Sequence, residues 1–136
     1  MYFELVDEIY TRVLAGEPLA GYKQDENQAT YSLWLDHEDY FIVWSWSAEK
    51  IKRFVDAVGY PYDGAKARLN DKVIFFKEVD VLNDVVVEHR ERHIGKVIFI
   101  EKGVPVIVCQ QGLLVLKEIT DANGKMVQIN FRSRFK

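Results

Sequence analysis

The feature that most constrains the fold is a series of short apolar runs in the second half of the chain, separated by turn residues. Such runs, rich in β-branched and aromatic residues, are typical of strands, and the Gly-containing turns between them favour tight hairpins. The predicted strands are Lys72–Val81, Asp84–Glu88, Lys96–Glu101, Pro105–Cys109, Leu113–Ile119 and Met126–Ile129, and the predicted hairpin turns are Lys102-Gly103, Gln110-Gln111-Gly112 and Asp121-Ala122-Asn123-Gly124. This pattern predicts a mainly β (α+β) fold, a small open barrel.

Two further segments, Thr30–Leu35 and Tyr40–Trp46, are also rich in aromatic and β-branched residues and are predicted to be extended. Asp36-His37-Glu38-Asp39 lies between them. Two acids beside a histidine could serve acid–base chemistry, but a solvated turn uses the same residues. We interpret this group as a hairpin turn.

Two helices are predicted, one on each side of these segments. Ser47 can accept a hydrogen bond from the first helical turn, and Glu49 suits the positive end of the helix dipole. Gly59 and Pro61 end that helix. Its predicted buried stripe is Ile51, Phe54, Val55 and Val58. The other helix precedes Gly16 and Pro18, and its apolar face is Phe3, Val6, Ile9, Tyr10, Val13 and Leu14.

Length and composition favour one compact soluble domain of 136 residues. No apolar run is long enough to span a bilayer, and the acidic N-terminus does not resemble a signal peptide. A single cysteine excludes an internal disulfide and fits a reducing compartment, so a cytoplasmic location is expected.

The formal charge of −3 is unevenly distributed along the chain. Residues 1–89 hold 9 Lys and Arg against 17 Asp and Glu, whereas residues 90–136 hold 9 against 4. The second part could attract a phosphate-bearing ligand, although scattered charges usually only solvate a surface.

Neither of the two reactive-looking features predicts a catalytic or metal centre. His89 and His93 have a spacing that can hold zinc on a helix, but they lie between predicted strands without a third ligand nearby in sequence. Cys109 has no local base or positive group to form a thiolate, so it is interpreted as a small buried hydrophobe.

Three groups of residues resemble a known family. They are Gln24, Glu26, Ala29-Thr30-Tyr31, Trp44, Ser47-Ala48, the helix Ile51–Val58, Tyr60-Pro61-Tyr62 and Gly64-Ala65; Gly95-Lys96-Val97 with Val108 to Leu114; and Phe131-Arg132-Ser133-Arg134-Phe135. This order resembles the C-terminal domain of 10-formyltetrahydrofolate-dependent formyltransferases, and the last group resembles the sugar-nucleotide N-formyltransferase branch. Two positions depart from the pattern: Val43 replaces an acidic residue, and Gln110-Gln111 replaces the middle of a Cys-Gly-Asp-Gly turn.

The resemblance implies a domain organisation and a division of labour. Residues 1–28 would be the helix and linker at the end of a catalytic domain, and residues 29–136 an OB-like barrel domain. The family's catalytic Asn, His and Asp would lie in that preceding domain. The chain alone is therefore expected to be inactive and to hold no cofactor, with 10-formyltetrahydrofolate bound by the parent enzyme. The barrel would complete one side of the substrate cleft and promote dimerisation.

The resemblance also supplies the candidate substrate-binding residues Gln24, Tyr31 and Tyr60. Gln24 offers an amide, and the tyrosines offer stacking faces and hydroxyls. Tyr60 belongs to the turn Tyr60-Pro61-Tyr62-Asp63-Gly64, which by resemblance faces the catalytic domain. No residue is assigned a catalytic or metal-binding role.

The expected partners are the missing catalytic domain, a second copy of the chain and a nucleotide-sugar, with no membrane. Two alternatives remain open. One is the tRNA-binding C-terminal domain of a methionyl-tRNA formyltransferase; the overall charge of −3 argues against nucleic acid, whereas the basic second part favours it. The other is a stand-alone interaction domain.

Overall fold

The computed structural model describes residues 2–136, and Met1 lies outside that range. It divides into two compact units, Met1–Leu33 and Trp34–Lys136. The α-helices of the described residues are α1 (Tyr2–Leu14) and α2 (Ala48–Ala57), the strands are β1 (Ala65–Leu69), β2 (Lys72–Leu82), β3 (Val97–Glu101), β4 (Val104–Val108) and β5 (Leu113–Thr120), and short 3-10 turns occupy Glu26–Gln28, Glu38–Tyr40 and Arg90–Arg92.

The first unit contains α1 and an irregular segment. The predicted helix is confirmed. It ends at Leu14, just before the expected stop at Gly16, whose φ of +70° is a backbone conformation that glycine adopts more easily than other residues. Further along, Asp25 caps a short 3-10 turn because its carboxylate accepts a hydrogen bond from the Asn27 amide at 3.0 Å. None of the described residues of α1 is buried.

The second unit is built on an antiparallel sheet. Across the described residues it has five strands in the order β1-β2-β5-β4-β3, so each hairpin partner in sequence is also a neighbour in space. The long strand β2 pairs with both β1 and β5, and its register with β5 shifts on either side of Glu78. This architecture confirms the mainly β prediction, with one flanking helix in this unit.

Strand β1 was not predicted from the sequence. Its sequence, AKARL, has two charged residues and low β-propensity. The strand forms because Ala65, Ala67 and Leu69 alternate inward and pair with β2, whose apolar residues dictate the register.

The segments Thr30–Leu35 and Tyr40–Trp46, which were predicted to be extended and strand-like, do not form strands. In the first segment, Tyr31, Leu33 and Trp34 are at least 90% exposed, and the backbone is irregular. In the second, Tyr40 ends a 3-10 turn and the chain then touches β1 at a single parallel bridge, Phe41 to Lys66. A high β-propensity does not form a strand where a partner ladder is absent.

The predicted strands Asp84–Glu88 and Met126–Ile129 are also irregular in the structure. In the first, the Val85 carbonyl accepts a hydrogen bond from the Arg90 guanidinium at 2.7 Å, and such a side-chain contact replaces a strand partner. In the second, Met126 makes an isolated bridge to Thr120 after the predicted turn at Asp121. The other hairpin turns are confirmed, between β3 and β4 and between β4 and β5.

Residues 133–136, called here the closing segment, connect the two edges of the sheet. On the β3 side, the Val97 amide donates to the Ser133 carbonyl at 2.9 Å, and the Phe135 amide donates to the Gly95 carbonyl at 2.9 Å. On the β1 side, Arg68 and Lys136 exchange two backbone hydrogen bonds of 2.8 and 2.9 Å. Both edge strands thereby satisfy backbone groups that would otherwise be unpaired.

The core lies between the sheet and α2. The Ser47 hydroxyl accepts a hydrogen bond from the Lys50 amide at 3.3 Å, which confirms the predicted helix cap. Ile51 and Val55 are fully buried, whereas Phe54 is only partly buried and packs edge-on against Trp46. The predicted stripe is therefore correct in position, but Phe54 lies at its margin.

An aromatic cluster connects the closing segment to this core. The ring of Phe135 lies 5.6 Å from that of Trp44 and 5.4 Å from that of Phe76, measured between centroids. A Cβ atom at Gly95 would approach the Phe135 carbonyl oxygen to 2.6 Å, and the φ of Gly95 is +78°. Only glycine therefore lets the closing segment lie this close to β3.

We predict that Phe135→Ala lowers the free energy of unfolding by about 3–5 kcal/mol, because it leaves a cavity between Trp44 and Phe76. The matched control is Phe131→Ala, four residues earlier, where the side chain is 55% exposed. That control should cost less than about 1 kcal/mol. Urea unfolding measures both, and equal costs would contradict the anchoring role of Phe135.

Candidate nucleic-acid interface

Four basic side chains share the outer face around the closing segment. Phe135 points into the core, so its neighbours Arg134 and Lys136 point outward. Arg134 lies directly opposite Lys96 across an antiparallel bridge, and Lys136 lies opposite Arg68. Residues opposite each other in such pairs project to the same side. Arg68, Lys96, Arg134 and Lys136 are called here the basic seam.

The basic seam places like charges directly opposite each other twice. Such pairs oppose stability, by roughly 0.2–1 kcal/mol each on the scale of cross-strand pairs. A carboxylate approaches the seam at Arg68, whose guanidinium lies 3.8 Å from the exposed Glu38. Arg134 donates instead to the backbone carbonyl of Arg92, a contact that orients the guanidinium and leaves its charge uncancelled. The seam is thus suited to hold an anion between its rows.

A buried lysine supports the Arg68 end of the seam. Lys66 is 1% exposed, and its ammonium lies 2.9 Å from Nδ1 of His37 and 5.1 Å from the centre of the Phe41 ring. The Arg68 guanidinium lies 4.4 Å from the centre of the same ring. Phe41 therefore interacts with both cations through its π-system and fixes their orientation.

The loop beside the seam is held by Arg90 and Asp84. The Arg90 guanidinium donates to the Asp84 carboxylate and to the backbone carbonyls of Cys109 and Gly112, at 3.0 and 3.3 Å for the carbonyls. Partial burial tends to raise the pKa of Asp84, but hydrogen bonds from the Gly112 amide, Arg90 and the Val85 amide outweigh it and lower that pKa. These contacts fasten the loop to the β4–β5 hairpin.

The lowered pKa gives this contact a definite pH dependence. The unfolded chain binds a proton at Asp84 more readily than the folded chain, so the contribution to stability is complete above about pH 4 and is lost as the pH falls through the folded pKa. We predict that Asp84→Asn makes the free energy of unfolding fall less steeply below about pH 4. Urea unfolding across a pH series measures this, and Arg90→Gln should reproduce part of the flattening, because the Gly112 and Val85 amides still lower the pKa of Asp84. Parallel pH curves for wild type and Asp84→Asn would contradict the prediction.

The substrate-binding residues predicted from the sequence do not share one compact unit. Gln24 and Tyr31 belong to Met1–Leu33, whereas Tyr60 belongs to Trp34–Lys136. Gln24 lines a cleft of about 430 Å³, and Tyr31 is 90% exposed. Tyr60 is fully exposed in a turn whose Tyr60–Pro61 peptide bond is cis. Their assignment to a substrate stays a prediction.

Sequence reasoning did not identify the basic seam. The available signal was the excess of Lys and Arg in residues 90–136, which supply Lys96, Arg134 and Lys136. Arg68 lies in the acidic part of the chain and joins the seam through its pairing with Lys136. The seam can therefore be recognised only from the three-dimensional structure.

The structure places the two reactive-looking features in different surroundings. Burial raises the pKa of the Cys109 thiol to about 12, so the thiol stays protonated at neutral pH. This agrees with its interpretation as a small buried residue, since it is 0% exposed. His89 and His93 flank a 3-10 turn, and residues 2–136 contain no cluster of three or more His, Cys, Asp or Glu side chains arranged as metal ligands.

The apolar face predicted for α1 is exposed along its whole length, from 85% at Phe3 to 43% at Ile9. Dimerisation through this face stays a prediction. In the part of the chain that the structure describes, no helix has the length and apolar character needed to cross a membrane.

Comparisons with known proteins identify relatives of the chain. Residues 35–134 match the family described as formyl transferase, C-terminal domain. Methionyl-tRNA formyltransferases from Borrelia duttonii (strain Ly) and Clostridium novyi (strain NT) are 31% and 32% identical over 126 residues, which cover 92% of this chain and 39% and 38% of theirs. The chain thus spans about two-fifths of the length of these curated relatives.

A solved structure of a HypX variant from Aquifex aeolicus is also similar. Its TM-score is 0.59 at 13% sequence identity, and the match covers 93% of this chain and 21% of that one. At this identity the likeness concerns the fold alone.

Proposed function

Because the chain belongs to the family of formyltransferase C-terminal domains, we propose that residues 34–136 contact the RNA substrate of a formyltransferase that acts on methionyl-tRNA. The observation that carries this proposal is that the backbone pairing of the basic seam places like charges opposite each other twice, Lys96 with Arg134 and Arg68 with Lys136. Such cross-strand pairs oppose folding, and a bound polyanion would relieve the repulsion.

The relatives favour this proposal over the sugar-nucleotide branch that the sequence first suggested. The relatives described above are named methionyl-tRNA formyltransferases, and this is the alternative that the sequence analysis left open. The net charge of −3 does not oppose it, because a nucleic acid responds to the local potential of the surface it meets. The seam concentrates positive charge on one face of the second unit.

In this proposal the domain orients the RNA and leaves the chemistry to other residues. Formyl transfer requires a group that manages the proton of the attacking amine, and donors that stabilise the oxyanion. The seam offers permanent cations at a protein surface, which bind phosphates and position a duplex. 10-Formyltetrahydrofolate would be bound by the catalytic part of such an enzyme.

We predict that Arg134→Glu weakens binding of a methionyl-tRNA-like RNA hairpin on the order of tenfold and lowers the slope of log affinity against log salt by about 1. The matched control is Lys102→Glu, which changes the net charge equally but lies in the β3–β4 turn, beyond the other end of β3. Filter binding at several salt concentrations measures both. Equal losses for the two variants would indicate unspecific attraction and would contradict a role for the seam.

We further predict that the 136-residue chain binds this RNA without formylating it. The test is incubation with methionyl-tRNA and 10-formyltetrahydrofolate, followed by detection of formyl-methionine. Turnover above that of heat-inactivated chain would contradict the division of labour proposed here.

A further inference from the structure

A cleft of about 600 Å³ lies beside the basic seam and shares Lys96 with it. Its lining comes from the loop after β2, the start of β3, the end of β4 and the segment before residue 133. We call it the side cleft. The lining residues that matter below are Val86, Val87, Lys96, Ile98, Phe131 and Arg132.

The side cleft has apolar and accessible lining residues. Val86 is fully exposed, and Phe131 is 55% exposed. Ile98 and Val87 are partly buried and pack against a small core cluster of Val106, Val108 and Leu113. Core packing therefore holds these two lining residues in place. A flat apolar group could therefore contact Val86 and Phe131 without displacing core residues.

The lining of the side cleft carries an excess of positive charge. Lys96 and Arg132 belong to it, against one acid, Glu88, and the Lys96 ammonium lies 3.4 Å from Nδ1 of His93. The Arg132 guanidinium lies 5.4 Å from the centre of the Phe131 ring, so an aromatic face and a cation adjoin. Nucleotides combine these two chemistries, because a base stacks on aromatic or guanidinium planes while its phosphates contact Lys and Arg.

Resting on the proposed function, we propose that the side cleft receives one unpaired nucleotide of the RNA whose phosphates lie along the basic seam. The base would stack against Phe131, and its phosphates would lie between Lys96 and Arg132. Shared Lys96 makes the two surfaces continuous, so one strand can follow the seam and end in the cleft. The cleft is thereby the part of the surface that distinguishes single-stranded from paired RNA.

The test compares two RNAs that share one hairpin stem. One is blunt-ended, and the other carries a short single-stranded 3′ overhang containing the fluorescent base 2-aminopurine. We expect the 136-residue chain to bind the overhang RNA about tenfold more tightly, as for one stacked base. The fluorescence of 2-aminopurine should also fall on binding.

The decisive variant is Phe131→Leu, which keeps apolar bulk but removes the stacking face. It should abolish both the tenfold preference and the fluorescence change, while the affinity for the blunt hairpin stays unchanged. The matched control is Phe99→Leu, since Phe99 on β3 is 44% exposed and outside the cleft lining. Unfolding curves of both variants verify that they are folded.

The outcomes separate the two proposals. Equal affinity of the wild-type chain for both RNAs, with loss of both upon Arg134→Glu, would overturn the side-cleft proposal and leave the proposed function in place. Retention of the preference in Phe131→Leu would overturn it as well. Binding of neither RNA would overturn both proposals.

Discussion

The backbone hydrogen bonds of residues 133–136 are the contacts on which the rest of the second unit depends. They connect β3 to β1, which are the two edges of the sheet, and they do so through carbonyl and amide groups that have no other strand as partner. Phe135 secures this arrangement from the inside by packing on Trp44 and Phe76. Gly95 permits it from the outside, because any side chain there would collide with the closing segment. Without these contacts the sheet would expose two unpaired edges and an open core.

The same four residues also create the candidate interface. Because side chains alternate along an extended segment, an inward Phe135 forces Arg134 and Lys136 outward, and the strands on either side present Lys96 and Arg68 to them. A sequence selected only for stability would place an acid in one of these rows. The presence of four cations here fits a general pattern, in which local rules of stability are most often broken at binding surfaces. The alternation of inward and outward side chains along residues 133–136 therefore accounts both for the closing of the sheet and for the positive charge of the basic seam.

Sequence reasoning succeeded where the determining interactions are local and failed where they are distant. The Ser47 cap, the end of α1 at Gly16 and the Gly103 and Gly112 turns depend on residues within a few positions, and all were predicted. Thr30–Leu35 has the composition of a strand but gains no partner ladder, whereas Ala65–Leu69 lacks that composition and is recruited by β2. The basic seam combines positions 68, 96, 134 and 136, whose proximity is set by the closing segment. No rule of sequence spacing links such positions. The net charge of −3 also gives no indication that four basic side chains lie together on one surface.

In the proposed complex, the seam and the side cleft would have different parts in RNA recognition. Contacts to phosphates supply affinity that weakens with salt and carries no information about the bases, so the seam alone would hold many RNAs in a similar way. Discrimination requires a surface that meets a base directly, and in RNA this surface is most easily offered to an unpaired nucleotide. Phe131 and Arg132 lie immediately before the closing segment, and the Arg132 amide donates to the Val97 carbonyl at 3.2 Å, so their position relative to the seam is held through β3. A strand that follows the seam would therefore meet the cleft at a fixed distance, and the RNA that fits best is one whose paired region ends where the seam ends.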